Sequence, residues 1–144
     1  MNADKIIQEL TKLVKKAEKN DESPVAAIIV ENGKIVAKAY NKRNKSHRTI
    51  DHAEIIAITK ANKKIKNWRT NKCTMYVTLE PCEMCKTVIK ESRIEKVYYF
   101  LERNQEKKQY KKTEFNNINK MQKNVENFTN EYLNIMKKFW QNKR

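Results

Sequence analysis

Apolar positions near the start of the chain recur every three or four residues, which is the spacing of one face of an α-helix. Between residues 5 and 17 this stripe consists of Ile6, Ile7, Leu10, Leu13, Val14 and Ala17. Two short apolar runs follow, at 23–30 and 34–40, and Asn32-Gly33 separates them. An Asn-Gly pair between apolar runs is a strong signal for a two-residue turn. The pattern therefore predicts a helix followed by a β-hairpin.

The next stretch, 41–51, is polar and predicts a loop. A helix is then predicted to run to about Lys64, with Asp51 as its cap. Glu54, three positions after Asp51, completes a capping-box-like pair.

Strand and helix patterns alternate after this helix. Residues 74–79 are rich in β-forming side chains and predict a strand. Pro81 is expected to begin the next helix, because proline suits the first helical turn. A second strand is predicted at 96–101.

The pattern weakens over 102–125, where the chain is polar and rich in Lys and Asn. This segment is predicted to be either an exposed excursion or weak structure, with a marginal strand near Met121 to Val125. A helical apolar face returns from Asn127 onward, formed by Phe128, Tyr132, Ile135, Met136, Phe139 and Trp140. The order of elements is typical of an α/β fold, a mixed sheet with helices on both faces. No repeat or linker divides the chain, so 1–144 is predicted to be a single domain.

Charge adds a candidate partner to this picture. The chain has 32 Lys and Arg against 17 Asp and Glu, a formal net charge of +15. Such a balance is typical of proteins that bind a polyanion, RNA or DNA first. A composition rich in Lys, Asn and Ile and nearly free of Gly offers the alternative that the charge is a compositional bias.

Two classes of protein are disfavoured by the sequence. No apolar run approaches the roughly 18 residues of a membrane-spanning helix, and the N-terminal stretch is amphipathic, unlike a signal peptide. The 3 cysteines include a C-x-x-C pair, which favours metal or thiol chemistry over a disulfide framework. We therefore expect a cytoplasmic protein with no membrane association.

The candidate chemistry lies in two stretches, HAEIIAITKA and EPCEMCKT. His52 lies at a predicted helix start, and Cys82 and Cys85 lie in the first turn of the next predicted helix. The spacing of three residues places both sulfurs on one side of that turn, and a helix N-terminus favours the thiolate. One nitrogen and two sulfur donors suit Zn²⁺ and leave a position for water. Glu54 is close enough to His52 to exchange protons with that water.

Each motif also has a simpler interpretation when taken alone. C-x-x-C occurs as a redox pair or by chance, and a histidine near a helix start is often a cap or a core residue. Cys73 and His47 are the only other thiol and imidazole, and either would close a structural site as a fourth ligand. Cys73 is predicted to be a buried free thiol, and His47 either an RNA contact or a solvated loop residue.

Together the motifs match a known pattern, because H-x-E followed by P-C-x-x-C is the signature of zinc nucleobase deaminases. The chain resembles enzymes of the cytidine deaminase fold, and among them the bacterial tRNA-specific adenosine deaminases. The stretches that carry the resemblance are YN before the first motif, HAEIIAI, NWR, TMYVTLEPCEMC, SRIEKV and FTNEYLNIMKKFWQNKR. They cover roughly 5–101 and, less closely, 127–144.

The resemblance implies a three-layer α/β/α fold around a mixed five-stranded sheet. It implies that His52, Cys82 and Cys85 hold one zinc ion per subunit and that Glu54 moves protons. It further implies hydrolytic deamination of adenosine to inosine at the wobble position of a tRNA anticodon loop, by a homodimer.

Substrate contacts also follow from the resemblance. Asn41 would hydrogen-bond the nucleoside, and the backbone N–H of Ala53 would contact the target base. Phe139 and Trp140 are expected either to stack on bases or to pack in the core. A further group of basic residues has two interpretations, a phosphate-binding rim or solvated surface charges. The group consists of Lys42, Arg43, Lys45, Arg69, Arg93 and Arg103.

The chain departs from the family pattern at three places. Ala26 and Ala27 stand where a glycine is usual in the first strand, and the residues after the second cysteine are KTV instead of small ones. The segment YFLERN replaces a stretch that often carries a glycine. These departures motivate a second hypothesis, a free-base or nucleoside deaminase of guanine or cytosine type. A third, a non-catalytic subunit, is disfavoured because such a subunit has no need of Glu54.

Overall fold

The computed structural model describes residues 2–103, 117–121 and 125–142. The helices and strands in chain order are α1 (Ala3–Lys19), β1 (Ala26–Glu31), β2 (Lys34–Tyr40), α2 (Arg43–Ser46), α3 (Ala53–Ile65), β3 (Cys73–Leu79), α4 (Glu83–Ser92), β4 (Lys96–Leu101), β5 (Ile118–Lys120) and α5 (Glu126–Asn142). Within this described part of the chain, no helix has the length and apolar character needed to cross a bilayer.

The five strands form one mixed sheet in the order β2-β1-β3-β4-β5. β1 is antiparallel to both β2 and β3, whereas β3, β4 and β5 are parallel. The carboxyl ends of parallel strands meet at one edge of a sheet, which is where α/β proteins bind ligands. The chain leaves β3 at Leu79 and β4 at Leu101 on this edge, and these two residues are register partners.

Helices cover both faces of the sheet, as predicted. On one face Lys38 of β2 forms an ion pair with Glu9 of α1 at 3.4 Å, and Thr78 of β3 bonds to Tyr132 of α5. α3 packs on β1, β2 and α4 on the other face, over the fully buried side chains of Met75 and Val77. The result is the three-layer α/β/α arrangement.

A chain of hydrogen bonds fixes the last helix to the sheet. The N–H of Ala26 donates to Thr78 Oγ1 at 3.1 Å, and Thr78 Oγ1 donates to Tyr132 Oη at 2.9 Å. Tyr132 Oη donates in turn to the carbonyl of Pro24 at 2.8 Å. Since every member is buried and satisfied, the network holds α5 in one position over the sheet.

Three sequence predictions need correction. The last strand is Ile118–Lys120, not Met121 to Val125, because Ile118 pairs with Val97; Met121 lies outside the strand and 122–124 lie outside the described residues. The first strand begins at Ala26, three residues later than predicted, since the Pro24 carbonyl bonds to Tyr132 and not to a strand. The polar stretch after β2 contains the short helix α2.

Candidate active site

The first half of the site is the start of α3. His52 is the N-cap residue, and its side chain makes no capping hydrogen bond. Asp51 is not the cap, so that prediction was wrong; it lies 3.6 Å from Arg48. The cap comes from a distant residue, because the N–H of Ala53 donates to Asn41 Oδ1 at 2.8 Å. The imidazole of His52 is consequently available for other partners.

The second half is the start of α4. This helix begins at Glu83 with Cys82 as its N-cap, so Pro81 precedes it and does not begin it as predicted. His52 Nδ1 lies 3.7 Å from Cys82 Sγ and 3.3 Å from Cys85 Sγ. The three ligand atoms all lie within 4.8 Å of one another. No other group of three or more His, Cys, Asp or Glu residues that could hold a metal occurs in residues 2–103, 117–121 and 125–142.

The two thiols differ in acidity. A hydrogen bond from Cys85, supported by His52, lowers the pKa of Cys82 to about 3 despite its burial. The same hydrogen bond and burial raise the pKa of Cys85. Without a metal, Cys82 therefore ionises first and Cys85 keeps its proton. A site that already favours a thiolate suits a divalent cation such as zinc.

Glu54 lies beside this cluster in the first turn of α3. Its side chain is buried, with 1% of the residue exposed, and Oε1 has no hydrogen-bond partner among the described residues. Burial raises the pKa of this carboxyl group. A buried polar atom without a partner is costly and rarely retained for stability alone. An N, S, S donor set beside an unsatisfied carboxylate oxygen fits a zinc ion with an open position.

A cavity of about 610 Å³ opens above these residues. His52 and Glu54 are part of its wall, and Leu79 marks its position at the carboxyl end of the sheet. The rest of the lining includes basic and aromatic side chains from three parts of the chain, namely Arg43, His47, Arg48, Arg103, Phe139 and Trp140. The pocket is large enough for a nucleoside, and its lining contains three arginines and two glutamates.

The predicted substrate contacts lie together in the structure. Asn41 is 7% exposed, lines the pocket and is bonded to the Ala53 N–H. Trp140 is 38% exposed, so the core-packing alternative is wrong for it, whereas Phe139 is partly buried and its role stays a prediction. His47 lines the pocket but is not part of the metal cluster.

Cys73 lies far from the metal cluster. It is fully buried at the first position of β3, and its Sγ donates to Glu31 Oε2 at 3.6 Å. The pocket lies at the opposite end of β3, about 20 Å away along an extended strand of this length. Cys73 is therefore a buried free thiol, as predicted, and not a fourth ligand.

The predicted basic rim is only partly assembled. Arg43 and Arg103 line the pocket, but Arg69 and Arg93 do not. Their guanidinium carbons lie 4.3 and 5.9 Å from the ring of Trp68, in the loop before β3. Lys42 and Lys45 also lie outside the pocket lining.

Two buried carboxylates of the site were missed by the sequence analysis. Glu22, which is 3% exposed, lines the pocket and accepts the backbone N–H groups of Asn44 at 3.0 Å and Lys45 at 2.8 Å. Glu80 is the second. Glu22 carries no local signal, since its partners lie more than 20 positions away, and Glu80 stands in the EPCEMCKT stretch but its pairing with Lys86 and Arg103 has no mark in the spacing.

Glu80 joins the start of α4 to the end of β4. Its Oε2 lies 3.3 Å from Lys86 Nζ, and both side chains are less than a tenth exposed. Its Oε1 accepts the N–H of Arg103 at 3.2 Å, and its carbonyl accepts Arg103 Nε–H at 2.7 Å. Lys86, one of the departures after the second cysteine, is thus part of a buried ion pair next to a candidate ligand.

Comparison with known proteins agrees with this geometry. The family model for the cytidine and deoxycytidylate deaminase zinc-binding region matches residues 1–101. The tRNA-specific adenosine deaminase of Bacillus subtilis is 45% identical over 93 residues, which are 65% of this chain and 58% of that protein. The chain thus spans less than two thirds of that relative. The tRNA-specific adenosine deaminase of Buchnera aphidicola is 36% identical over 131 residues, 89% of this chain and 87% of that protein.

Solved structures give the same fold. A structure from a study of A-to-I editing by tRNA:A34 deaminases matches with a TM-score of 0.67 and 31% identity, covering 71% of this chain and 79% of the other. The guanine deaminase of Bacillus subtilis also has a TM-score of 0.67, at 22% identity, covering 92% of this chain and 94% of the other. At that identity the second likeness concerns the fold alone.

Proposed function

Because the chain belongs to the cytidine and deoxycytidylate deaminase zinc-binding family, we propose that it is a zinc-dependent hydrolytic deaminase acting on tRNA. It would convert adenosine to inosine at the wobble position of the anticodon loop. The observation that carries this proposal is the convergence of His52, Cys82 and Cys85 with the unsatisfied Glu54 Oε1 at one pocket. The tRNA-specific adenosine deaminases among its relatives support the choice of substrate.

The metal would be held by His52 Nδ1 and by the sulfurs of Cys82 and Cys85. These donors fit zinc, because they are close together, lie at two helix starts and include a thiol of low pKa. Bound zinc supplies a Lewis acid that brings the pKa of water toward neutrality. Cys73 and His47 lie outside the cluster, so the three ligands found in the described part of the chain leave a position open.

Glu54 would carry the proton. Its Oε1 would accept a proton from the attacking water and return it to the departing amino group. Water adds to the purine carbon that bears the amine, the carbon–nitrogen bond breaks and ammonia leaves. Glu54 then has its starting protonation state, so one carboxylate suffices for the whole cycle.

Asn41 and Ala53 would orient the nucleoside. Asn41 Oδ1 already accepts the Ala53 N–H, so the Nδ2 donor of Asn41 is the group directed at substrate. Contact between the Ala53 N–H and the target base would require that N–H to be shared with Asn41. Phe139 and Trp140 line the same pocket and would stack on bases of the anticodon loop.

The arginines of the pocket lining favour RNA over the alternative substrate. Arg43, Arg48 and Arg103 all line the pocket, and a neutral free base brings no anionic group to pair with their charges. An anticodon loop brings phosphates, and its target base is already unpaired, which lowers the cost of extracting it. The free-base or nucleoside deaminase is therefore the second candidate.

The deciding experiment measures inosine in a tRNA with adenosine at the wobble position, using protein whose zinc content is determined on the same sample. We expect inosine and about one zinc ion per chain. Fully metallated protein that forms no inosine would contradict the proposal. A panel of free purines and pyrimidines, assayed for ammonia, tests the alternative hypothesis.

Two further parts of the proposal follow from a tRNA substrate and the family. We propose a cytoplasmic homodimer. Sedimentation of the zinc-loaded protein, alone and with an anticodon stem–loop, tests the dimer, and a monomer in both conditions would contradict it.

A further inference from the structure

A group of lysines lies along one edge of the sheet, outside the pocket. Lys38 belongs to β2, the edge strand, Lys42 follows that strand, and Lys16 and Lys60 come from α1 and α3 on the two faces. We name these four residues the lysine ridge. No step of the proposed reaction uses them.

The ridge is one connected feature. Lys60 Nζ donates to the carbonyl of Lys38 at 2.8 Å, which bends the α3 side chain onto the edge strand. Lys42 Nζ lies 5.1 Å from the ring centre of Tyr40, two residues from Lys38. Burial lowers the pKa of Lys60, and repulsion from Lys42, Lys16 and Lys38 lowers it further. Lys16, Lys38 and Lys42 therefore each lie near enough to Lys60 to act on its charge, and the bond from Lys60 to the Lys38 carbonyl fixes the centre of the group.

The ridge lacks matching negative charge. Among the described residues, Lys16, Lys42 and Lys60 form no salt bridge, whereas Lys86 and Lys120 each have a carboxylate partner. Lys38 is 3.4 Å from Glu9, but that carboxylate is already shared with two further lysines of α1. Like charges held together without counter-charge repel one another, and a bound polyanion would relieve that repulsion.

The ridge also leads into the pocket. Lys42 stands between Asn41 and Arg43, both of which line the cavity. The N–H of Lys42 donates to the carbonyl of Asp51 at 3.0 Å, which fixes this connection beside the start of α3. The end of the ridge at Lys42 therefore adjoins the pocket, within reach of the phosphates that flank a base held there.

We propose that the lysine ridge binds the phosphate backbone of the RNA substrate beside the nucleotide that enters the pocket. This inference rests on the proposed function and adds to it a contact surface on β2, α1 and α3. Phosphate contacts of this kind contribute affinity and orientation without reading sequence.

The test compares two triple variants with the same loss of charge. The ridge variant is Lys16→Gln, Lys42→Gln, Lys60→Gln. The control variant is Lys72→Gln, Lys90→Gln, Lys96→Gln, three exposed lysines at the opposite end of the parallel strands. Affinity for an anticodon stem–loop RNA is measured over a range of salt concentrations, together with inosine formation.

We expect the ridge variant to bind the RNA about tenfold or more weakly. The plot of log affinity against log salt should become less steep, by an amount that corresponds to about two to three lost phosphate contacts. The control is expected to stay within about twofold of the parent. The charge-preserving variant Lys16→Arg, Lys42→Arg, Lys60→Arg should restore binding. Equal affinity and equal salt slope in the ridge and control variants would overturn the inference.

Failure of the proposed function and failure of the inference give different results. If the unmodified protein forms no inosine and binds no RNA, the proposed function fails and the inference fails with it. If the unmodified protein forms inosine but the ridge variant binds RNA as the control does, only the inference fails.

Lysines on an edge strand also deter strand pairing, so a ridge variant that aggregates while its monomer keeps full RNA affinity counts against the inference. If the triple variant does not fold, the single changes Lys16→Gln and Lys60→Gln decide, each with an expected loss of about twofold to threefold.

Discussion

The backbone N–H of Ala53 donates a hydrogen bond to Asn41 Oδ1 at 2.8 Å, across 12 positions of sequence. This contact joins the end of β2 to the start of α3, where the N-cap His52 makes no capping bond of its own. Asn41 therefore caps the helix from a distance and leaves the His52 ring for the cysteines. The position of the site depends on this bond as much as on the residues that perform the chemistry.

Replacing Asn41 separates its two roles. Asn41→Ala removes the acceptor, so we expect the free energy of unfolding to fall by about 1–2 kcal/mol, as for other lost caps. Asn41→Asp keeps Oδ1 but removes the Nδ2 donor, so stability should be retained while the KM for tRNA rises. Denaturant unfolding and inosine kinetics check the pair. Equal loss of stability in both variants would contradict a capping role.

Replacing Glu54 should stop the chemistry and leave the site intact. Because Gln has nearly the same shape but cannot carry the proton, we expect Glu54→Gln to reduce single-turnover inosine formation by about 10²–10⁴-fold. Zinc content and RNA affinity should be unchanged. Glu91→Gln, on the exposed side of α4, is the matched control. Glu54→Gln with full activity would refute the proposed mechanism.

Zinc should be lost when a cysteine of the metal cluster is replaced and kept when Cys73 is replaced. We expect Cys82→Ser and Cys85→Ser each to lower zinc content well below one per chain and to abolish inosine formation, because a thiolate ligand is lost. Cys73→Ser should keep the metal, since its thiol bonds to Glu31 in another part of the fold. Elemental analysis and a chelator titration measure the difference. Zinc loss in the Cys73 variant equal to that in the other two would show a different ligand set.

Cys73 should resist thiol reagents at neutral pH. Burial raises the pKa of this thiol to about 11, with a further contribution from its hydrogen bond to Glu31. The reactive thiolate becomes more abundant as the pH rises, so alkylation should quicken about tenfold per pH unit up to about pH 11. In zinc-loaded protein at pH 8 it should be more than about a hundredfold slower than for a free thiol. Iodoacetamide with mass mapping measures the rate, and equal rates for folded and urea-unfolded chains would contradict burial.

The buried pair of Glu80 and Lys86 should be strongly coupled. Glu80→Gln keeps an acceptor for the Arg103 N–H but leaves Lys86 only the partly exposed Glu83, at 3.7 Å, so we expect a loss of up to about 3 kcal/mol. Lys86→Met should cost less, because Glu80 keeps its contacts with Arg103. The double variant should be more stable than the sum of the single losses by about 1–3 kcal/mol. Denaturant unfolding of all four proteins checks the cycle, and strict additivity would exclude the coupling.

Local patterns predicted most of the elements correctly. The apolar stripe of α1 is buried at Ile6, Leu10, Leu13, Val14 and Ala17, and the Asn32-Gly33 turn connects β1 to β2. Periodicity succeeds here because burial of one face of a helix or strand is a property of neighbouring residues. The weakest prediction concerned β5, whose three residues depend on pairing with β4 and carry almost no pattern of their own.

The sequence by itself determined which groups are available for chemistry. The spacing of Cys82 and Cys85 within one helical turn, and of His52 and Glu54 at a helix start, follows from local geometry, and so does the type of metal that these donors favour. The composition likewise gives the net positive charge, but it does not say where on the surface that charge lies.

Only the tertiary structure decided what these groups face. The approach of His52 to two cysteines about 30 positions away, the capping of α3 by Asn41 and the burial of Lys86 against Glu80 all depend on how strands pair and helices pack. The same holds for the lysine ridge, whose members come from three elements. Contacts between distant residues are set by sheet register and packing, and neither is encoded in the spacing of any single segment.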